Sequence, residues 1–205
     1  MASPSPDLEH HTILAWIDRG ASVLDLGCGD GAFLADLVAK KQVAACGIDI
    51  DERAIYQCVA RGLSVFHQDL DTGLSEYADR SFDYVILKQS LQQVRHPAFV
   101  LQEATRVGHK AIVSLPNFAY YAARFQICFR GRVPVTPALP YEWHDSPNIH
   151  FLSILDFLDF CAERTFRIEN SLFIRHNRVV RVFPNFFAET AIFLLSRKNG
   201  AAGTL

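Results

Sequence analysis

The chain has 205 residues, half of them hydrophobic, and a formal net charge of -2, enough for one full core and too balanced to give a basic field for a phosphate backbone, so nucleic acid is disfavoured as main partner. Its five cysteines, Cys28, Cys46, Cys58, Cys128 and Cys161, are scattered with no CxxC spacing, which argues against a disulfide framework or zinc site and predicts reduced thiols and no metal. No apolar run reaches bilayer length and the first residues lack a basic-then-apolar leader, so a soluble, cytoplasmic protein without a membrane partner is expected.

Residues 1–6 are small and proline-rich and read as a disordered tail. Asp7 is placed to cap a helix carrying Ile13, Leu14 and Ile17 on one side and ended by Gly20. Strand and helix patterns then alternate: strand 22–26, helix 32–40, strand 43–48, helix 51–61, strand 64–67, strand 82–87, helix 97–107 and strand 110–115. In the helix at 51–61, Asp51 is the expected N-cap, Ile55, Cys58 and Val59 the inward residues, and Gly62 the terminator. A helix at 119–129 precedes a proline-rich insertion over 131–150. Ser153 then opens a helix whose Ile154, Leu155, Leu158 and Cys161 recur at helical spacing, and strands follow near 167–174 and 191–196. The pattern predicts one α/β domain over 7–198, with a mostly parallel sheet, a late antiparallel hairpin, and a flexible tail at 199–205.

The most informative stretch is VLDLGCGDGAFL over 23–34, an apolar strand that breaks into glycines and resumes as a helix. Gly27, Gly29 and Gly31 permit positive φ and close approach of a ligand, and N–H groups at the helix start are expected to offer an electropositive rim, with Cys28 inside the turn. Gly27, Gly29 and Ala32 satisfy G-x-G-x-x-G/A, so a nicotinamide dinucleotide is one candidate, with Asp49 at the next strand end for its ribose. Asp25 and the third glycine, Gly31, complete D-x-G-x-G-x-G, which resembles the first motif of class I S-adenosylmethionine-dependent methyltransferases. That resemblance implies a Rossmann-like class I methyltransferase fold: a mostly parallel seven-stranded sheet with a C-terminal antiparallel hairpin and helices on both faces. It also implies adenosylmethionine or S-adenosylhomocysteine as cofactor, with Asp49 and Ile50 at the ribose and adenine, Asp69 meeting the adenine amino group, and Leu70 packing on the ring. Tyr84 and Lys88 spell Y-x-x-x-K, a dehydrogenase pairing, but on a strand they stand about 13 Å apart and the match reads as coincidence.

Further segments resemble the MetW family of methionine-biosynthesis proteins: GIDID over 47–51, FDYVILKQSLQ over 82–92, LPNF over 115–118, GRVPVT over 131–136 and PYEWHDSPNIH over 140–150. The resemblance implies a partner or regulatory subunit of homoserine O-acyltransferase, either the O-acetyltransferase or the O-succinyltransferase, that binds adenosylmethionine. The alternative is an active methyltransferase on an unidentified acceptor. Lys88, which joins the cofactor-site residues, departs from the fourth-strand pattern, because a cation there stands near a sulfonium.

Two constellations remain. Glu142 and His144 are candidate general bases in the insertion, against the plainer reading that Tyr141 and Trp143 anchor the loop by packing and the polar groups satisfy its backbone. Arg124, Arg130 and Arg132 lie among Tyr120, Tyr121, Phe125, Ile127 and Phe129, as a cofactor lid, a docking surface, or a helix that packs one face and solvates the other. LPNF resembles the N-P-P-Y motif of DNA amino-methyltransferases only superficially, since it follows the fifth strand and reads as an ordinary turn.

Overall fold

Alternating patterns of period two and period 3.6 become the elements the chain predicts, with two additions near the C-terminus. The structure, a computed structural model, describes residues 8–164 and 166–198. The expected cap at Asp7 and both expected tails lie outside the described residues. In chain order the elements are α1 (Leu8–Trp16), β1 (Ser22–Leu26), α2 (Ala32–Lys41), β2 (Ala44–Asp49), α3 (Glu52–Ala60), β3 (Ser64–His67), β4 (Phe82–Lys88), α4 (Pro97–Val107), β5 (Gly108–Pro116), α5 (Tyr121–Arg130), α6 (Ile154–Glu163), β6 (Phe166–Arg175), β7 (Arg178–Val179), α7 (Pro184–Phe187) and β8 (Thr190–Arg197).

One sheet runs β3-β2-β1-β4-β5-β8-β6-β7. The first five are parallel to one another, and β8 lies antiparallel between β5 and β6. Strand order therefore reverses direction at β1, with β2 on one side and β4 on the other, and in open α/β sheets the crevice beyond such a switch point takes the ligand. The sheet has eight strands where seven were expected. The extra one, β7, forms because His176 (φ 45°) and Asn177 (φ 60°) close a two-residue connection of the I′ kind back along β6. Lacking glycine, that pair carries a weak turn signal. The expected C-terminal hairpin is thus the β6–β8 pair, adjacent in space but separated in sequence by β7 and α7.

Side-chain alternation divides the core in two. Leu24, Leu26, Val85, Leu87, Val113 and Phe193 face α4 and α6, where Leu101 and Phe157 meet them. Val23, Ile86, Ile112 and Ile192 face α1 and α2, where Ile13, Leu34 and Leu37 close the other side. Helices thus cover both faces. Asp51 caps α3 by accepting from Arg53 N, Gly62 (φ 75°) terminates it, and Ser153 with Asp156 forms a reciprocal capping box on α6. Two inward assignments shift: Val59 and Leu155 are exposed. Ala54 and Cys58 take the buried face of α3, and Ile154, Phe157 and Cys161 that of α6, so each displaced residue sits one position round the helix from the stripe.

LPNF is a structural turn with a specific task. Asn117 is buried; its Nδ2 donates to Asn185 O (3.0 Å) and Ala188 O (2.8 Å), and its Oδ1 accepts from Ala119 N (3.0 Å). It ties the end of β5 to α7. Asn117→Ala is expected to cost about 2–3 kcal/mol by leaving buried carbonyls unpaired. A lower denaturant midpoint at unchanged slope checks this.

Candidate functional site

The glycine turn leaves β1 and is fastened to the end of β2. Gly27 N and Cys28 N both donate to Ile48 O (2.8 and 3.1 Å), Gly29 N donates to Asp49 Oδ2 (2.7 Å), and Gly31 N donates to Cys28 O (3.1 Å). Gly27, Gly29 and Gly31 all have positive φ, of 80°, 55° and 74°. Ala32 N, the first of α2, donates to Asp30 Oδ1 (3.1 Å). These five N–H groups are spent inside the protein, three on the carbonyls of Ile48 and Cys28 and two on the carboxylates of Asp49 and Asp30. Cys28 is likewise committed, its buried thiol 3.9 Å from Cys58 Sγ beneath the turn.

What the turn offers a ligand is carboxylate. Asp49 accepts one backbone donor at each oxygen, from Gly29 N (2.7 Å) and Asp51 N (2.9 Å), which leaves a lone pair on each for further donors. Ile50 beside it is exposed. Asp25 is buried at 2% exposure and its Oδ1 has no hydrogen-bond partner. Burial lifts its pKa from 3.8 to about 7; Lys88 pulls it down and Asp49 pushes it further up. Alternation places Asp25 with Val23, and Lys88 with Ile86, on the α1–α2 side, where the Lys88 ammonium lies 5.1 Å from the centre of the Phe33 ring. Asp25, Asp49 and Lys88 therefore share one electrostatic site. Asp69 caps the turn after β3, accepting from Asp71 N (2.9 Å), while Leu70 is half-buried against the core. Nothing in the contacts of Asp69 joins it to the other two aspartates.

Several readings resolve. Tyr84 is buried and its hydroxyl donates to Asp18 Oδ2 (2.7 Å), whereas Lys88 closes the same strand beside Phe33, so Y-x-x-x-K pairs nothing. In the insertion, Glu142 and His144 pair loosely at 3.6 Å and are both exposed. Trp143 is 77% exposed and anchors nothing by packing. Hydrogen bonds to its backbone hold the loop instead: the Gln126 side chain donates to Val135 O (2.9 Å) and accepts from Val135 N (3.1 Å), and Ile149 N and His150 N donate to Gln92 O (3.0 and 3.1 Å). Helix α5 buries fully only Ala123 and exposes Phe125, Ile127 and Phe129, which overturns the reading of a helix that packs its apolar face. Among the described residues no helix is long and apolar enough to cross a membrane.

A cavity of about 430 Å³ lies next to this site, and none of the residues assigned to the cofactor lines it. Its wall includes Glu9 of α1, Gln89 and Gln92 just past β4, and His176 and Glu189 from the β6–β8 end of the sheet. Sequence reasoning missed these residues. The run Gln89, Gln92 and Gln93 immediately after a strand end was the available signal, but Glu9 and Glu189 are brought to it only by the fold.

A strand-order switch with a glycine turn, a carboxylate at the end of β2 and an antiparallel β8 define a Rossmann-like fold of the class I S-adenosylmethionine-dependent methyltransferase type. Solved structures share it: a methyltransferase from Mesorhizobium loti superposes with a TM-score of 0.68 at 18% identity, covering 93% of this chain and 98% of that one. The cyclase SpnF superposes with a TM-score of 0.65 at 15% identity, covering 94% and 82%. Residues 7–195 match the family described as "Methionine biosynthesis protein MetW", and the chain belongs to that family. It is 34% identical over 206 residues to a bifunctional methionine biosynthesis protein MetXA/MetW of Rhodopirellula baltica, covering 94% of this chain and 33% of the relative. It is also 33% identical over 144 residues to a ubiquinone biosynthesis O-methyltransferase of Paracidovorax citrulli, covering 64% and 60%. The chain thus spans about one third of the first relative and three fifths of the second.

Proposed function

We propose that this chain binds adenosylmethionine or adenosylhomocysteine at the glycine turn and acts as a partner or regulatory subunit of homoserine O-acyltransferase, the O-acetyltransferase or the O-succinyltransferase. The fused relative carries the partner half of this reading: a MetW-like stretch occupies a third of a protein whose name also includes MetXA. Fusion holds two domains at high effective concentration, as association does for separate chains. The exposed aromatic surface agrees with it. Phe129, Trp143, Phe151 and Phe183 are each more than two thirds exposed, an unusual apolar display for a free surface, and Arg124 lies over the Phe186 ring between α5 and α7.

The cofactor half rests on Asp25 and Asp49. Asp49 keeps a free lone pair on each oxygen for two ribose hydroxyls, and the unpartnered Asp25 oxygen is suited to a cationic group. Ile50 and Leu70 supply apolar surface for adenine, with Asp69 at its amino group. Lys88 opposes a sulfonium and so favours the neutral thioether of adenosylhomocysteine. Asp49→Ala is expected to weaken binding of either nucleoside by about 2 kcal/mol, the scale of hydrogen bonds to a charged group. Calorimetry that finds unchanged affinity would mean the ribose lies elsewhere.

Co-purification with each acyltransferase, then acyl-transfer assays with and without this chain and adenosylmethionine, test the partner reading. A complex with an altered rate is expected; absence of a complex, or no rate change, overturns it. The second reading, methyl transfer to an acceptor, is favoured by the cavity beside the end of β4. Labelled methyl transfer above solvent hydrolysis would establish it. Glu142 and His144, exposed and loosely paired, are then the first bases to replace.

A further inference from the structure

Two stretches of the chain that meet at α5 and α7 share an unusual composition. Residues 117–141 and 170–188 together hold six arginines, Arg124, Arg130, Arg132, Arg175, Arg178 and Arg181, with no lysine and no acidic residue. Among the described residues none of the six takes part in an ion pair. The fold joins the two stretches through their rings. Tyr121, Phe125 and Phe129 stand four residues apart along one stripe of α5, with the Phe125 and Phe129 rings 4.6 Å from each other. Tyr121, at the start of that stripe, meets Phe186 (5.9 Å) and Phe187 (6.3 Å) of α7, and its hydroxyl accepts from Arg175 Nη2 of β6 (2.8 Å). The Arg124 guanidinium lies 5.6 Å from the centre of the Phe186 ring. Despite these contacts Phe129 is 76% exposed, Phe183 74% and Phe125 52%.

A contiguous display of rings facing water marks a surface that something covers. Charge selects among the covers. A second copy docking through the same face would set these arginines against themselves, with no carboxylate on either side to answer them. A carboxylate-bearing partner answers all of them. An anionic membrane surface attracts lysine as well as arginine, whereas residues 111–197 contain no lysine at all. Aromatic residues and arginine without lysine are the composition of protein–protein interfaces, because the planar guanidinium stacks on rings and grips a carboxylate with two parallel hydrogen bonds. We propose that the α5–α7 face is the surface on which homoserine O-acyltransferase docks, and that the acyltransferase meets it with an apolar patch rimmed by carboxylates. This placement rests on the partner reading above and adds to it where the partner sits and by what chemistry it is held. Phe125 and Phe129 supply the apolar centre, and Arg130, Arg132 and Arg178 the cationic rim.

The test uses the full chain with purified homoserine O-acetyltransferase and O-succinyltransferase. Cys128 precedes Phe129 on α5 and is exposed, while the other four cysteines are buried or half-buried, so its alkylation by N-ethylmaleimide, followed by mass spectrometry, reports cover over this face without any substitution. A saturating amount of the acyltransferase that forms the complex is expected to slow Cys128 modification at least tenfold. Phe129→Ser and the double variant Arg130→Glu/Arg132→Glu should each weaken the complex at least tenfold with melting curves like wild type, since all three side chains are exposed. Tyr56→Ser, 73% exposed on α3, should leave it unchanged. A complex in which Cys128 stays unprotected, or in which both variants keep wild-type affinity, overturns the docking surface and leaves the partner reading standing. Absence of a complex with either enzyme overturns both. Protection of Cys128 by rising concentration of the chain alone, or by phosphatidylglycerol vesicles, with none from the acyltransferase, gives the face to a second copy or to a membrane and overturns the proposal.

Discussion

Asp25→Asn is expected to remove a pH dependence of stability amounting to about 4 kcal/mol. The folded protein holds this carboxyl at about 7 and the unfolded chain returns it to 3.8, so between those values the folded state binds a proton that the unfolded state releases. The contribution is fully present below 3.8 and is lost as pH rises through about 7. Asparagine does not titrate there. The difference in unfolding free energy between the two proteins should therefore change by that amount between about pH 4 and pH 8, read from denaturant titrations at each pH. Asp71, Asp83 and Glu103, held below the usual carboxylate range, slope the other way in both proteins and cancel. Parallel curves would show that the fold leaves Asp25 at its ordinary value. A functional consequence follows if Asp25 receives a cationic group: the proton must leave first, so adenosylmethionine affinity should rise with pH through about 7.

The second large effect separates building the turn from using it. A Cβ on Gly31 would lie 2.6 Å from Leu63 Cδ1 and 2.7 Å from Cys58 Sγ, at a φ of 74°. Gly31→Ala must therefore strain the backbone and push α2 from α3, at about 2–4 kcal/mol. A Cβ on Gly29 meets nothing within 4 Å at a φ of 55°. Gly29→Ala should cost only about 1 kcal/mol of left-handed strain. Its methyl stands in open space at the turn, so adenosylmethionine affinity should fall at least tenfold with the melting temperature nearly kept. Equal affinity in Gly29→Ala and wild type would place the nucleoside away from this turn.

Much of the fold was legible because each signal is local. Strand β1 and α4 begin and end where apolar runs, Pro97 and Gly108 place them, and Asp51 and Ser153 cap the helices they precede. The glycine turn and Asp49 were legible for the same reason, as they mark a strand end and a positive-φ turn. Val59 and Leu155 were misassigned because an apolar residue one step from a helix stripe is indistinguishable by composition from one on it. β7 was missed because its turn, His176–Asn177, carries no glycine.

By itself, then, the sequence determined the order of elements up to β6, the glycine turn and the family, since these depend on residues within a few positions of one another. Tertiary structure decided which polar groups are spent and which are free. Gly29 N and Ala32 N of the turn are taken by Asp49, from 20 residues away, and by Asp30, from within the turn, and Gly27 N and Cys28 N by the carbonyl of Ile48. Asp25 acquires its raised pKa from complete burial and from Asp49 on β2, against the pull of Lys88 on β4. The cavity exists only because Glu9, Gln92 and Glu189, far apart in the chain, converge at the ends of β4 and β8. Desolvation and hydrogen-bond satisfaction belong to the packed assembly, and no periodicity along the chain encodes them.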